Sequence, residues 1–337
     1  MYKPATIKDI AQALNLSPST VSRALRDGYE ISEETKKLVV AYAEKVNYKS
    51  NPIALSLKNK RSYSIGIVVP KLANSFFSQA IAGIESIAHE RGYHTIITQT
   101  HESAERERAN IIHLAQRSVD GLLISISSEA SDFGFLKTLH DDGLPMVFFD
   151  RIIDDIDTFK VTSNNLKGTY NAVESLIKSG KRRIAFLASA AHLSITNERR
   201  SGYQKALADH GLPFREELVR YCNDGGNNYQ EVEDAVKDLL TLTDKPDAIF
   251  ISADRMSTAC IRALKNLNFD TREIALAGFS NSDVIDLLQP SISYVKQKSF
   301  EMGQIAIQML LKLIEAKYPI TEFETRVLDT ELHLSPL

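Results

Sequence analysis

The chain has 337 residues, of which 43% are hydrophobic, and a formal net charge of −3, a length that allows two or three domains with sizeable cores. No basic start is followed by an apolar run, and no stretch approaches the ~18 apolar residues of a membrane span, so we expect a cytoplasmic protein with no membrane partner. The two cysteines, Cys222 and Cys260, are too few and too far apart for a disulfide framework or a tetrahedral metal site. We therefore expect buried free thiols, no metal and no cofactor.

Charge is distributed unevenly along the chain. Residues 1–61 hold 11 Lys/Arg and 6 Asp/Glu, a net of +5, which leaves 29 and 37 for the remainder, a net of −8. This asymmetry is typical of a basic module that contacts phosphates, joined to an acidic body that does not.

Two helix starts lie close together near the N-terminus. Thr6 precedes Asp9 by three residues, which is the spacing of a capping box and predicts a helix over 7–14. Ser17-Pro18 predicts a second helix from residue 18 to about 25, because a proline at the first helical position loses no hydrogen bond. Two helices joined by a short turn form a helix-turn-helix, whose second helix reads the major groove of DNA.

A third helix start at Ser32 would complete this small domain. The residues after it place apolar side chains at helical spacing, so that they close a core over the first two helices. These apolar residues are Leu38, Val39, Tyr42, Ala43 and Val46.

A short segment over 51–58 follows, and Asn51-Pro52 opens it. It is long enough for barely two helical turns, whereas an isolated helix normally needs ~12–15 residues to persist in water. Something outside this segment must therefore order it, which is the behaviour of a hinge.

From residue 62 the pattern changes to strands that alternate with helices, which predicts parallel sheets covered on both faces. The predicted strands are 65–69, 94–98, 121–126, 145–149, 183–188, 248–251 and 274–279. The predicted helices are 78–91, 104–115, 133–141, 168–179, 199–210, 229–240, 256–267 and 303–316.

Residues 6–11, 17–25, 48–57 and 65–70 resemble the lactose-repressor (LacI/GalR) family of bacterial transcription regulators. The resemblance implies an α/β protein with an all-α helix-turn-helix headpiece and hinge helix, followed by a periplasmic-binding-protein-like core of two doubly wound parallel-sheet subdomains. The headpiece would span 1–50, the hinge 51–61 and the core 62–337. Within the core, subdomain one would take 62–162 and 294–321, and subdomain two 163–293 and 322–337.

The family also implies a function. We expect a sequence-specific transcription regulator, a repressor rather than an activator, whose affinity for double-stranded operator DNA is controlled by a small molecule between the subdomains. A sugar or sugar derivative is favoured over a nucleoside or purine. The alternative is an enzyme acting on a small carbohydrate or nucleoside, which lacks support because no phosphate loop or nucleophile elbow is present. A solute carrier protein for transport would explain the core. The basic headpiece and the missing signal peptide disfavour it.

A homodimer is expected because a single hinge helix cannot pair with itself, and a tetramer is left open. The helices over 78–91 and 303–316 are candidates for the interface. The many apolar residues of the second helix would equally suit burial within one subunit.

Candidate DNA-binding residues come from the recognition helix and from matches to the family. Arg23 is the strongest, because its planar fork can bond guanine O6 and N7 together, a contact worth roughly 1–3 kcal/mol of discrimination; pairing with a phosphate or with Asp27 is the alternative. The family places the match of Leu57 between base steps in the minor groove, although Leu57 could instead contact the body. The candidates are Thr6, Ser17, Pro18, Ser19, Thr20, Ser22, Arg23, Ser32, Thr35, Tyr48, Asn51, Ala54 and Leu57.

Candidate effector-binding residues fall at strand ends, where open parallel sheets bind ligands. In matching the family's pocket, this chain has Asn164-Asn165 and Ser280 where acidic groups are common, which leaves the ligand unassigned. The candidates are Asn74, Phe76, Phe77, Asp150, Arg151, Asn197, Arg199, Phe250, Asp254, Ser280 and Gln297.

Overall fold

The computed structural model describes residues 5–26, 28–48 and 61–335. Its contacts divide the chain into two compact units, 1–62 and 63–337. The hinge candidates Asn51, Ala54 and Leu57 lie outside the described residues, so their roles stay predictions.

In its described residues, the first unit contains three helices, α1 Ile7–Leu14, α2 Pro18–Ala24 and α3 Glu33–Lys45. Thr6 and Asp9 form the capping box that their spacing predicts. All three predicted helices are confirmed, and α2 ends one residue earlier than expected. The helices enclose a small core formed by Ile10, Ala11, Val21, Ala24, Val39 and Ala43.

The second unit alternates strands and helices. Its strands are β1 Ser64–Val69, β2 His94–Gln99, β3 Gly121–Ile124, β4 Met146–Phe149, β5 Lys160–Ser163, β6 Ile184–Ala188, β7 Val219–Tyr221, β8 Ala248–Ile251, β9 Ala275–Phe279, β10 Ser293–Lys296, β11 Thr325–Leu328 and β12 Glu331–His333. Its α-helices are α4 Ser75–Glu90, α5 Ala104–Gln116, α6 Gly134–Asp141, α7 Asn165–Lys178, α8 Ser194–Asp209, α9 Tyr229–Leu240, α10 Asp254–Asn266 and α11 Ser299–Glu315.

These strands form two six-stranded sheets, with the orders β11-β5-β4-β3-β1-β2 and β12-β10-β9-β8-β6-β7. The first sheet is parallel throughout. The second is parallel except at its edge, where β12 runs antiparallel to β10. The predicted class, an α/β protein with two doubly wound subdomains, is confirmed.

Strand pairing corrects two of the expected subdomain boundaries. Strand β10 pairs with β9 in the second sheet, whereas residues from 294 onward were expected in subdomain one. Strand β11 pairs with β5 in the first sheet, whereas residues from 322 onward were expected in subdomain two. Because β10 still belongs to the second sheet, the chain crosses to the first subdomain only after Lys296. Because β11 belongs to the first sheet, the chain returns to the second subdomain only after Leu328.

Helices α4 and α11 pack closely against each other on the first sheet. A Cβ atom added at Gly83 would overlap the carbonyl oxygen of Phe300, and one at Gly303 would overlap that of Ala80. Apolar residues of α11, including Ile307 and Leu310, belong to the core of this subdomain. The apolar stripe that made α11 an interface candidate is thus largely used within the subunit.

The cores of the second subdomain contain both cysteines. Cys222 and Cys260 are buried and form no disulfide, as expected. No helix within the described segments is long and apolar enough to cross a membrane.

Candidate functional site

Helix α2 presents an exposed polar face on the surface of the first unit. Its opposite face buries Val21 and Ala24 in the core, which leaves Pro18, Ser19 and Arg23 exposed. This orientation supports the predicted placement of these three side chains toward a groove.

Hydroxyl groups cluster at the N-terminus of this helix. The Ser17 Oγ atom accepts a hydrogen bond from the backbone N–H of Thr20 at 3.0 Å, and it also lies 2.7 Å from the Ser19 hydroxyl. Ser32 caps α3 in the same way, accepting from the N–H of Thr35 at 3.3 Å. Helix N-termini attract anions, so both ends could contact phosphates.

Within the described part of the first unit, further contacts with protein groups involve Thr6, Tyr48 and Arg23. The Thr6 hydroxyl bonds Asp9 at 2.8 Å, and Ser22 is half-buried. Tyr48 packs against the small core, and burial raises its pKa although Arg26 opposes this shift. The Arg23 guanidinium pairs with Glu30 at 2.6 Å, while Asp27, the partner weighed from the sequence, lies outside the described residues.

In the second unit, a buried arginine lies where strands of the second sheet end. Arg199 is 3% exposed. Its Nε atom donates to Asn165 Oδ1 at 2.9 Å, and its Nη1 atom donates to the carbonyl of Ser252. Its Cζ atom lies 3.8 Å from the centroid of the Phe279 ring. These partners are neutral, and in the described part of the chain Arg199 forms no ion pair. Burial therefore lowers its pKa to about 10.

A buried carboxylate lies at the corresponding edge of the first sheet. Asp150 follows β4 with a φ of +60° and accepts a hydrogen bond from Gln297 Nε2 at 3.4 Å, while the same nitrogen donates to Ser163 at 3.0 Å. Burial raises the pKa of Asp150, although the charges of Arg199 and Arg151 oppose the shift. Gln297 belongs to the crossover segment, so this contact lies next to the chain connection between subdomains.

Arg151 is the second buried arginine of this region. Its Nη1 donates to Glu102 at 2.7 Å, and Glu102 also accepts from the backbone N–H of Ser128 at 2.7 Å. Burial alone would raise the pKa of Glu102, but Arg151 and these hydrogen bonds hold it below its usual value. The Arg151 Nε atom is buried with no hydrogen-bond partner in the described structure.

Further polar atoms at the same strand ends are buried without a partner among the described residues. They include the hydroxyls of Ser125 after β3 and of Ser189 after β6. A Cβ atom at Gly225 would lie 3.4 Å from Ser189 Oγ and 3.9 Å from Arg151 Nη2. Polar groups of both subdomains therefore approach each other at this glycine.

Direct hydrogen bonds join the subdomains beside these groups. Lys71 Nζ donates to Asn227 Oδ1 at 3.0 Å, and Arg255 Nη1 donates to the carbonyl of Ala73 at 3.2 Å. Burial lowers the pKa of Lys71, and the neighbouring charge of Arg255 lowers it further. The two subdomains are thus in contact across the cleft in this structure.

Asp254 also reaches across the cleft from the start of α10. Its Oδ1 accepts from the Ser280 hydroxyl at 2.9 Å and from the Asn281 N–H at 3.0 Å. Burial raises its pKa, and hydrogen bonds from backbone groups, including that of Phe76 in the first subdomain, oppose the shift.

Comparison with known proteins matches both units to one family. Residues 62–327 match the model of periplasmic binding proteins and sugar binding domain of the LacI family, and residues 6–51 match that of bacterial regulatory proteins, lacI family. The chain belongs to the LacI family. It is a DNA-binding transcriptional regulator of that family.

Individual LacI-family relatives align over nearly the whole chain. The HTH-type transcriptional regulator RegA of Clostridium acetobutylicum is 31% identical, covering 94% of each protein. The ribose operon repressor of Haemophilus influenzae is 27% identical, covering 96% of each. The solved complex of the transcriptional regulator CelR with cellobiose is 25% identical, with a TM-score of 0.72 and 98% of each chain covered.

Five of the predicted effector residues lie at the facing strand ends of this LacI-family core, namely Asp150, Arg151, Arg199, Asp254 and Gln297. Ser280 contacts this group through its hydrogen bond with Asp254. The side chains of the three aromatic candidates are buried instead, so their part in ligand binding stays a prediction. Phe76 and Phe77 pack in the core of the first subdomain, and Phe250 packs against Phe186 and Phe279 in that of the second. Asn197 is exposed on α8, and Asn74 caps α4 by accepting from the Phe76 N–H at 2.9 Å.

Several polar residues of this region were missed from the sequence. Each of them follows a strand directly or within a few residues, so their position next to a strand end was the available signal. These residues are Glu102, Ser125, Ser127, Ser189, Ser252 and Asn281.

Proposed function

We propose that the chain is a repressor that binds operator DNA as a homodimer and releases or tightens this binding when a small molecule occupies the cleft. The exposed face of α2 would enter the major groove, and the hinge residues Asn51, Ala54 and Leu57 would act in the minor groove. Because operator binding requires access to the chromosome, the proposed location is the cytoplasm.

One observation carries the effector part of this proposal. The strand ends of both subdomains bury polar atoms that have no hydrogen-bond partner among the described residues, namely Arg151 Nε and the hydroxyls of Ser125 and Ser189. Buried polar groups are normally paired, and an unpaired one costs free energy. A ligand that supplies hydrogen bonds to these atoms would remove that cost.

The chemistry of the cleft favours a sugar over a nucleoside or purine. A base would need an aromatic face for stacking, but the rings of Phe76, Phe77 and Phe250 are packed in cores, and Arg199 already covers that of Phe279. Hydroxyl and guanidinium groups suit the many hydroxyls of a carbohydrate. The relatives named for the ribose operon and the cellobiose complex support the same class.

The effector would act by its difference in affinity between two arrangements of the subdomains. Such coupling between sites is typically worth about 1–3 kcal/mol. In this chain the contacts of Lys71 with Asn227 and of Arg255 with Ala73 would form in the closed arrangement.

Ser189 provides a test of the ligand site. A thermal-shift screen of sugars and nucleosides would first identify the ligand, since a molecule that binds only the native state raises the melting temperature. Ser189→Ala should then weaken binding of this ligand about tenfold and leave the melting temperature of the free protein unchanged or slightly raised, because the hydroxyl has no hydrogen-bond partner among the described residues.

Ser257→Ala is the matched control. The Ser257 hydroxyl donates to the carbonyl of Phe279 at 2.8 Å, so its loss should destabilise the free protein by about 1 kcal/mol with little change in ligand affinity. Unchanged ligand affinity in Ser189→Ala would contradict the proposed site.

A further inference from the structure

The recognition helix carries an ion pair that the sequence did not suggest. Arg23 Nη1 donates to Glu30 Oε2 at 2.6 Å, and the two side chains are 60% and 48% exposed. The partners are seven residues apart, because Glu30 lies in the segment between α2 and α3.

The backbone on both sides of this pair is anchored. The N–H of Gly28 donates to the carbonyl of Arg23 at 3.0 Å, and the N–H of Ile31 donates to the carbonyl of Gly28 at 3.1 Å. A Cβ atom at Gly28 would lie 3.2 Å from the same Arg23 carbonyl, so the segment runs close to the helix. Glu30 is therefore held beside the arginine by the chain itself.

The geometry of the guanidinium gives this contact a consequence for DNA reading. Arginine presents five donors in a planar fork, and Glu30 occupies one of them through Nη1. The Nη2 and Nε atoms of Arg23 remain for guanine O6 and N7, which need two donors in one plane. Because Glu30 holds Nη1, the guanidinium rotates less in the free protein. Less conformational entropy is then lost when Nη2 and Nε bind the base.

A carboxylate at this place also has an electrostatic effect. It reduces the attraction of the headpiece to phosphates of any sequence, and an exposed pair by itself stabilises the free protein little. The effect of Glu30 should therefore lie in selectivity rather than in general affinity or folding.

We propose that Glu30 is a positioning residue for base recognition, which holds Arg23 so that its free edge faces a guanine of the operator. This rests on the proposed function, because it requires the chain to bind a specific operator. Glu30 acts through Arg23 and need not touch DNA.

The test uses the full-length protein and an operator obtained by selection from random duplexes. Binding of this operator and of every single base-pair variant is measured for the wild type, Arg23→Ala, Glu30→Ala and the double variant. Arg23→Ala identifies the base pair that Arg23 reads. Glu30→Ala should reduce discrimination at that base pair about two- to fivefold, without lowering affinity for unrelated duplexes and without further effect when Arg23 is already absent.

Two variants separate positioning from charge. Glu34→Gln removes one exposed carboxylate charge from the same headpiece and should leave discrimination unchanged. Glu30→Gln keeps an acceptor oxygen and should restore part of the discrimination. Equal discrimination in Glu30→Ala and wild type, or an additive effect of the two alanine substitutions, would overturn the proposal. A wild type that binds all duplexes equally would instead refute the proposed function itself.

Discussion

Glu107 shows how one buried side chain can make stability depend on pH. It is 1% exposed on α5, and its carboxylate accepts from the N–H of Ser127 at 2.5 Å. Burial raises its pKa from 4.5 to about 7, although the hydrogen bonds of Ser127 and the charge of Arg151 oppose the shift. The folded protein therefore keeps a proton here that the unfolded chain loses near pH 4.5.

This difference predicts the sign of a pH effect. Between about pH 4.5 and 7 the folded state binds more protons than the unfolded state, so the contribution of Glu107 to the unfolding free energy falls as pH rises. Between pH 5 and pH 8 the unfolding free energy of the wild type should fall by up to about 3 kcal/mol more than that of Glu107→Gln. Urea unfolding at the two pH values measures this.

Glu105→Gln is the control for this prediction, because Glu105 lies on the same helix but is exposed. The unfolding free energy of Glu105→Gln should change between the two pH values by the same amount as that of the wild type. Parallel pH dependence of Glu107→Gln and wild type would show that Glu107 is ionised in the folded protein throughout this range.

At the scale of elements, the crossing of α4 and α11 depends on two glycines. Gly83→Ala would bring a methyl group onto the Phe300 carbonyl, which belongs to the backbone and cannot move aside cheaply. Overpacking of this kind typically costs about 1–3 kcal/mol, and more when backbone must shift. Urea unfolding should show this loss.

Gly134→Ala is the comparison for this substitution. Gly134 begins α6, and among the described residues its added methyl would meet only the Asp132 side chain, at 3.3 Å. Its unfolding free energy should therefore stay within about 0.5 kcal/mol of the wild type. A similarly small change in Gly83→Ala would mean that the two helices can separate without loss.

Elements with strong local signals could be predicted from the sequence. Ser17-Pro18 fixed the start of α2, and the uninterrupted apolar run of β8 gave that strand its observed bounds, Ala248–Ile251. Strand β11 was missed because three of its four residues are exposed, so it has no buried run to detect. Its pairing with β5 arises from the fold as a whole rather than from its own composition.

The candidate pocket was predictable only in part for a related reason. Asp150, Arg199 and Gln297 are polar, and a polar side chain at a strand end is rarely buried in an apolar core, because burial without a hydrogen-bond partner costs free energy. Phe76, Phe77 and Phe250 are apolar and satisfied equally well by a core or by a ligand, so the sequence could not separate these two environments. The structure assigns all three to cores.

In the molecule as a whole, the proposed regulation requires communication between the cleft and the DNA-binding headpiece. Closing contacts in the cleft come from loops of both subdomains, as with Lys71 and Asn227. If ligand binding and operator binding are coupled, thermodynamic linkage requires that each changes the affinity of the other by the same factor.

The most direct test measures this factor in both directions on the full-length protein. Operator affinity is determined by fluorescence anisotropy with and without the ligand found by thermal shift, and ligand affinity by calorimetry with and without operator. We predict equal factors of about 5–150-fold. An operator affinity that saturating ligand leaves unchanged, in a protein that binds both molecules, would contradict the proposed coupling of the cleft to DNA binding.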